Sequence, residues 1–107
     1  FKLIYVFDID QTVCHTVNGD YNKSKPIQKR IDKINELHDS GHTIIFQTAR
    51  GMGRSNNNVV WCYKKFYEFT KNQLNEWGVK YDDLFMGKPA GDIYVDDKGM
   101  KDVGFFK

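Results

Sequence analysis

The chain predicts an α/β fold: a Rossmann-like, three-layer α/β/α arrangement around a central parallel sheet. Three observations carry this. Short apolar runs rich in β-formers recur at Leu3–Phe7, Thr43–Gln47 and Asp92–Val95. Segments with helical spacing stand between them. Each run ends in a small group of polar side chains, where open parallel sheets bind ligands. Strand, helix, strand, helix, strand implies right-handed crossovers, with helices on both faces of the sheet.

In chain order, Leu3-Ile4-Tyr5-Val6-Phe7 has the length and composition of a buried strand. Residues 13–25 read as a small hairpin inserted after the first strand, because Val13, His15 and Val17 alternate and Asn18-Gly19-Asp20 is a tight-turn signal. Ser24-Lys25-Pro26 resembles a helix start, with Ser24 as N-cap and Pro26 in the first turn. Ile27, Ile31, Ile34 and Leu37 follow at helical spacing, and Gly41 is a natural stop. Lys23, Lys25, Lys29, Arg30 and Lys33 read as the solvated face of that helix. Thr43–Gln47 is the second strand. From Arg50 through the three asparagines nothing is periodic and glycines recur, which predicts a mobile loop. A longer helix is predicted from Val59 to Trp77, with Phe66, Phe69, Gln73 and Trp77 on one stripe and Gly78 as its stop. Trp61 and Tyr63 read either as core aromatics or as loop residues facing a ligand. Leu84-Phe85-Met86 is a very short strand, Asp92–Val95 a third main strand, and Val103–Phe106 a last edge strand.

A chain of 107 residues fits one domain, 1–107, with one core and little room for a second lobe. The net charge of +2 with no basic stripe argues against a nucleic-acid partner. Cys14 and Cys62 form neither a C-x-x-C pair nor a zinc spacing, and read as free thiols in a reducing compartment, with a disulfide as the alternative. No apolar run is long enough to span a membrane, and the opening run is too short and acidic for a signal peptide, so a cytoplasmic protein is expected.

The chemistry concentrates where the strands end. Asp8 and Asp10 stand two residues apart just past the first strand. Carboxylates next to a core are costly unless a partner or a metal neutralises them. That spacing therefore fits a cation site with one carboxylate free as a nucleophile, or else a polar, Asp-rich turn. Thr48 follows the second strand, Lys88 stands isolated in Gly87-Lys88-Pro89, and Asp96-Asp97 closes the third strand. A hydroxyl, an ammonium and four carboxylates are thus expected to converge. Asp92 lies at the opposite end of its strand and is excluded.

This order resembles the haloacid dehalogenase-like (HAD) hydrolase superfamily. Asp8, Asp10 and Thr12 match its D-x-D-x-T/V motif, Thr48 its Ser/Thr, Lys88 its Lys, and Asp96 with Asp97 its acidic pair. The four motifs stand in the family's order and span nearly the whole chain. The short length and the run Thr48-Ala49-Arg50-Gly51-Met52 look like the small, capless phosphatases of capsule and surface-polysaccharide biosynthesis. Gln11 stands where many relatives carry Gly, at a position that varies.

The resemblance implies a magnesium-dependent phosphatase of a small phosphorylated sugar or polyol. Asp8 would be the nucleophile that forms an aspartyl-phosphate, and Asp10 the general acid and then the general base. The Asp8 carboxylate, the Asp10 carbonyl and Asp96 would hold Mg2+, with Asp97 binding through water or orienting Lys88. Lys88 and Thr48 would stabilise the phosphoryl charge. Arg50 and Arg54 are the candidates for substrate binding through their planar forks, with surface arginines on a flexible loop as the alternative reading. The superfamily has a flap where the 13–25 hairpin stands, and His15 could reach the site from it, whereas His38 and His42 lie far from the site. No segment supplies a lid, so the flap, the Arg50 loop or a second copy in a homo-oligomer would cover the substrate. Two other readings compete. One is a phosphatase with an open groove for a macromolecule. The other is a non-enzymatic module, metal-binding or receiver-like, that holds a long-lived phospho-aspartate.

Overall fold

Alternation along the strands decides which side of the sheet becomes core. The computed structural model describes residues 1–107, with β1 (Ile4–Phe7), β2 (Cys14–His15), β3 (Lys25–Pro26), α1 (Gln28–Asp39), β4 (Thr43–Gln47), α2 (Val59–Glu76), β5 (Asp83–Phe85) and α3 (Asp102–Phe105) in chain order. Strands β1, β4 and β5 form a parallel sheet in the order β1-β4-β5. In this register Tyr5 pairs with Ile44, and Phe7, Phe46 and Leu84 line up across the strands. Those residues share one face, and Ile31 and Ile34 of α1 and Leu74 of α2 join them in the main core. On the opposite face Ile4 and Val6 remain 70% and 59% exposed. The layers number two rather than the expected three. Both crossovers step the same way across the sheet, and right-handed connections then place both helices on one face.

The helix ends follow from local chemistry. The Asn58 side chain accepts a hydrogen bond from the Trp61 amide at 3.0 Å and caps α2. At its other end Gly78 adopts a left-handed φ of 72°, as a glycine stop does. The fully buried line of α2 runs through Cys62, Thr70, Gln73 and Leu74. Trp61 and Tyr63 lie on the outer side of this helix, in neither the core nor a loop.

Four further sequence expectations change. Ser24-Lys25-Pro26 does not start a helix: Lys25 and Pro26 pair with His15 and Cys14 and close the flap hairpin. The Ser24 hydroxyl bonds to that of Thr16 at 2.6 Å instead of capping, and α1 begins at Gln28. Val103–Phe106 is not an edge strand. Phe105 and Phe106 both pack on Phe7, with ring centroids 5.4 and 5.9 Å away. A strand would send consecutive side chains to opposite faces, whereas a helical turn brings both onto the core.

The third change concerns Asp92–Val95, which forms no strand. Ile93 and Val95 are 82% and 93% exposed. The Tyr94 hydroxyl accepts from the Gly91 amide at 2.9 Å and donates to the Pro89 carbonyl at 2.5 Å, folding the segment into its own loop. The place beside β4 goes to β5, and the outer edge of β1 has no strand partner. Fourth, residues 50–57 are packed rather than open. Met52 is buried against Cys62 and Met86, and Asn56 and Asn57 take left-handed φ values of 55° and 61° to complete the turns. Cys14 and Cys62 are free and buried. No helix is long and apolar enough to cross a membrane.

Candidate active site

Past the ends of β4 and β5 the backbone continues their pairing for one more step. The Thr48 amide donates to the Phe85 carbonyl at 3.0 Å, and the Lys88 amide to the Thr48 carbonyl at 3.1 Å. These bonds carry Thr48 and Lys88 to the same end of the sheet as Asp8. The Lys88 ammonium lies 3.8 Å from the Asp8 carboxylate and 4.5 Å from the centre of the Tyr94 ring. Gly87 makes this possible with a left-handed φ of 91°.

Asp8 is half-buried. Burial pushes its carboxyl above the usual carboxylate range, opposed first by the Lys88 charge and then by the Ile9 amide and the Thr12 hydroxyl. Thr48 is buried, and its hydroxyl oxygen accepts from the Arg50 amide at 3.1 Å. That leaves its hydroxyl hydrogen free to be donated elsewhere.

Asp10 has a different set of neighbours. Its two oxygens accept from Nε and Nη2 of Arg50, each at 3.0 Å, and one also accepts from the Thr16 hydroxyl at 2.5 Å. Arg50 is only 1% exposed, and its guanidinium bonds to the Thr70 hydroxyl at 3.3 Å and lies 4.7 Å over the Tyr21 ring. As placed, the Arg50 fork is committed to Asp10, and the residue also lines a cavity at this end of the sheet. Beside its reading as a substrate ligand, Arg50 thus has a structural role, a long-range pairing with a carboxylate forty residues away. Gln11, between the two motif positions, has a left-handed φ of 65°. A non-glycine residue pays on the order of 1 kcal/mol for that conformation. The Gln11 side chain offsets the cost by bonding the amide and carbonyl groups of Thr16.

The flap is fastened over this end of the sheet. The Tyr21 hydroxyl accepts from the Gly51 amide at 3.0 Å, and Gln73 donates to the Tyr21 carbonyl at 2.7 Å. The Arg54 guanidinium lies 5.0 Å from the centre of the Tyr21 ring and donates to the Gly19 carbonyl at 2.8 Å. A cavity of about 320 Å³ opens beneath the flap, lined by Asp8, Asp10, Thr16, Tyr21 and Arg50 among others. Its size suits a small molecule. Thr16 and Tyr21 were not legible as site residues, though an aromatic beside an Asn-Gly turn in a chain with two nearby arginines is a usable signal. His15 is exposed on the flap and makes no contact with the cavity.

Asp96 and Asp97 stand apart from this cluster. Both are exposed, and Asp96 accepts from the Lys98 amide at 2.7 Å in a turn of its own, which holds its carboxyl below the usual range. No group of three or more His, Cys, Asp or Glu side chains is assembled that could hold a metal ion. Of the six expected groups, the structure therefore brings together Asp8, Asp10, Thr48 and Lys88.

No family model matches the chain, and no curated protein does. It superposes with a TM-score of 0.88 on the crystal structure of a structural-genomics target from Vibrio cholerae, at 26% identity over 96% of this chain and 86% of that one. The likeness supports a parallel α/β fold for the chain.

Proposed function

We propose that the chain is a phosphatase of the HAD type, acting on a small phosphomonoester such as a sugar or polyol phosphate. The observation that carries this reading is the meeting of Asp8, Lys88, Thr48 and Asp10 at the carboxyl ends of parallel strands, with Lys88 at 3.8 Å from Asp8. Phosphoryl transfer asks a protein chiefly for positioning and charge neutralisation. The Asp8 carboxylate attacks phosphorus, and the bond from phosphorus to the leaving alkoxide breaks. Asp10 supplies the proton that the alkoxide takes. Water then attacks the aspartyl-phosphate, gives its proton to Asp10, and releases phosphate and the Asp8 carboxylate. Lys88 and the Thr48 hydroxyl stabilise charge on the phosphoryl oxygens.

The resting arrangement of Asp10 suits the second step better than the first. Both oxygens are occupied as acceptors by Arg50 and Thr16, so delivery of a proton requires the carboxyl to turn off the guanidinium. Magnesium is the cation this reading calls for, since it binds through one or two carboxylates together with substrate phosphate, and it would supply charge neutralisation at Asp8. The residues gathered here fit it only in part, because Asp96 and Asp97 remain outside the cavity.

Phosphate release from p-nitrophenyl phosphate tests the reading, with and without magnesium, for the native chain, Asp8→Asn and Asp10→Asn. Magnesium-dependent turnover that disappears in Asp8→Asn is expected. An inactive native chain, also towards a panel of sugar and polyol phosphates, overturns it. A stable phospho-aspartate without turnover replaces it with the receiver-like module.

A further inference from the structure

A second cavity, of about 360 Å³, adjoins the first across the flap tip, with Gly19 and Tyr21 lining both. Its wall is aromatic, from Tyr21, Phe66 and Phe69, and its cations are Arg54 and Lys65. Arg54 is the one arginine of three without a carboxylate partner, since Arg30 pairs with Asp102 and Arg50 with Asp10. It is nevertheless held in place. One Nη2 contact with the Gly19 carbonyl fixes it, and the guanidinium lies 5.0 Å over Tyr21 and 5.3 Å over Phe66. Its remaining N–H groups have no protein acceptor. Lys65, one helical position before Phe66 on α2, forms no ion pair. The one acid in the lining, Asp20, lies 3.9 Å from Lys23, a residue that is not part of the wall.

A pre-oriented, unpaired guanidinium beside an aromatic wall is the chemistry that recognises a planar anion on a ring. We infer that this second cavity takes a carboxylate on the far end of the substrate, so that the substrate is an acidic sugar phosphate, with Arg54 and Lys65 on the carboxylate and Phe69 beside the ring. The inference rests on the phosphatase reading for the phosphoryl end. Arg50 and Arg54 both lie over the Tyr21 ring, at 4.7 and 5.0 Å from its centroid, so the two cavities share this one residue of the flap.

The test is a matched pair of ligands that differ in one group: glucuronic acid 1-phosphate and glucose 1-phosphate. Calorimetric binding to the Asp8→Asn chain, and kcat/KM with the native chain, are measured for both, beside Lys65→Ala and Arg54→Gln. Lys65 is exposed on a helix, and alanine keeps the helix. A preference for the acid of about tenfold in the native residue set is expected, falling towards unity in Lys65→Ala and Arg54→Gln. Equal binding of the two sugars, or a preference that survives both substitutions, overturns the inference. Turnover of p-nitrophenyl phosphate without any acid preference removes the second cavity and leaves the phosphatase reading intact. An acid preference in binding without turnover of any phosphate leaves the carboxylate site and removes the phosphatase reading.

Discussion

Replacing Arg50 with methionine should unfold the protein more readily, rather than merely weaken a substrate contact. The substitution removes two hydrogen bonds to the Asp10 carboxylate at 3.0 Å each, one to Thr70, and the stacking on Tyr21. Breaking a buried ion pair by deleting one partner costs about 3–5 kcal/mol. The Asp10 side chain is 22% exposed and can regain some water, which places Arg50→Met at the lower end, about 3 kcal/mol. For a domain of this size that is a fall in Tm of roughly 15 °C. The Arg50 side chain is fully buried, so Asp10→Asn, which strands its charge, should cost at least as much. In urea unfolding at neutral pH, the double variant should be more stable than the sum of the two losses predicts, by about 1.5 kcal/mol or more. A loss below about 1 kcal/mol for Arg50→Met, or a coupling within about 0.5 kcal/mol of zero, refutes the pairing as the main role of Arg50. In that event a raised KM with unchanged stability would return Arg50 to the substrate-binding role.

Other outcomes follow from the same geometry. Asp102 is held below the usual carboxylate range by Arg30, 2.6 Å away, a bond that ties α3 to α1. A depressed carboxyl stabilises the fold above the unfolded value near 4 and loses that contribution as pH falls through its lower folded value, so Asp102→Asn should cost about 0.5–1 kcal/mol at pH 7. In urea titrations across pH, its midpoint should rejoin that of the native chain in acid; a gap independent of pH contradicts the ion pair. A Cβ on Gly87 would meet the Val59 side chain at 2.8 Å in a left-handed backbone, and the strain would shift Lys88 away from Asp8. Gly87→Ala should therefore lower kcat/KM for p-nitrophenyl phosphate by roughly 10- to 100-fold, and unchanged kinetics would show that Lys88 needs no such placement. Leu74→Ala empties a fully buried position between α2 and the sheet and should cost about 2–5 kcal/mol in urea unfolding, with a value under 1 arguing against Leu74 as core.

What the sequence determined by itself was local. Strand β4 is Thr43–Gln47 as read, and β1 and α2 differ from their expected ranges by one residue at an end. The hairpin with its Asn-Gly tip, and the turn that carries Asp8 and Asp10 past β1, were also legible. These features depend on alternation, caps and left-handed turn positions, which neighbouring residues settle. The tertiary structure decided what distant segments compete for. Asp92–Val95 and Asp83–Phe85 are both runs that could extend beside the sheet, and composition favours the first. The edge of β4 took the second, because Leu84 falls in register with Phe46 and buries, while Tyr94 closes a loop over Lys88. Phe105 and Phe106 chose a helical turn for the same kind of reason, since both rings find the core that way. The partner of Arg50 was also beyond local reading: an arginine in a glycine-rich loop reads as a free surface group until the fold buries its side chain and sets a carboxylate forty residues away against its planar fork.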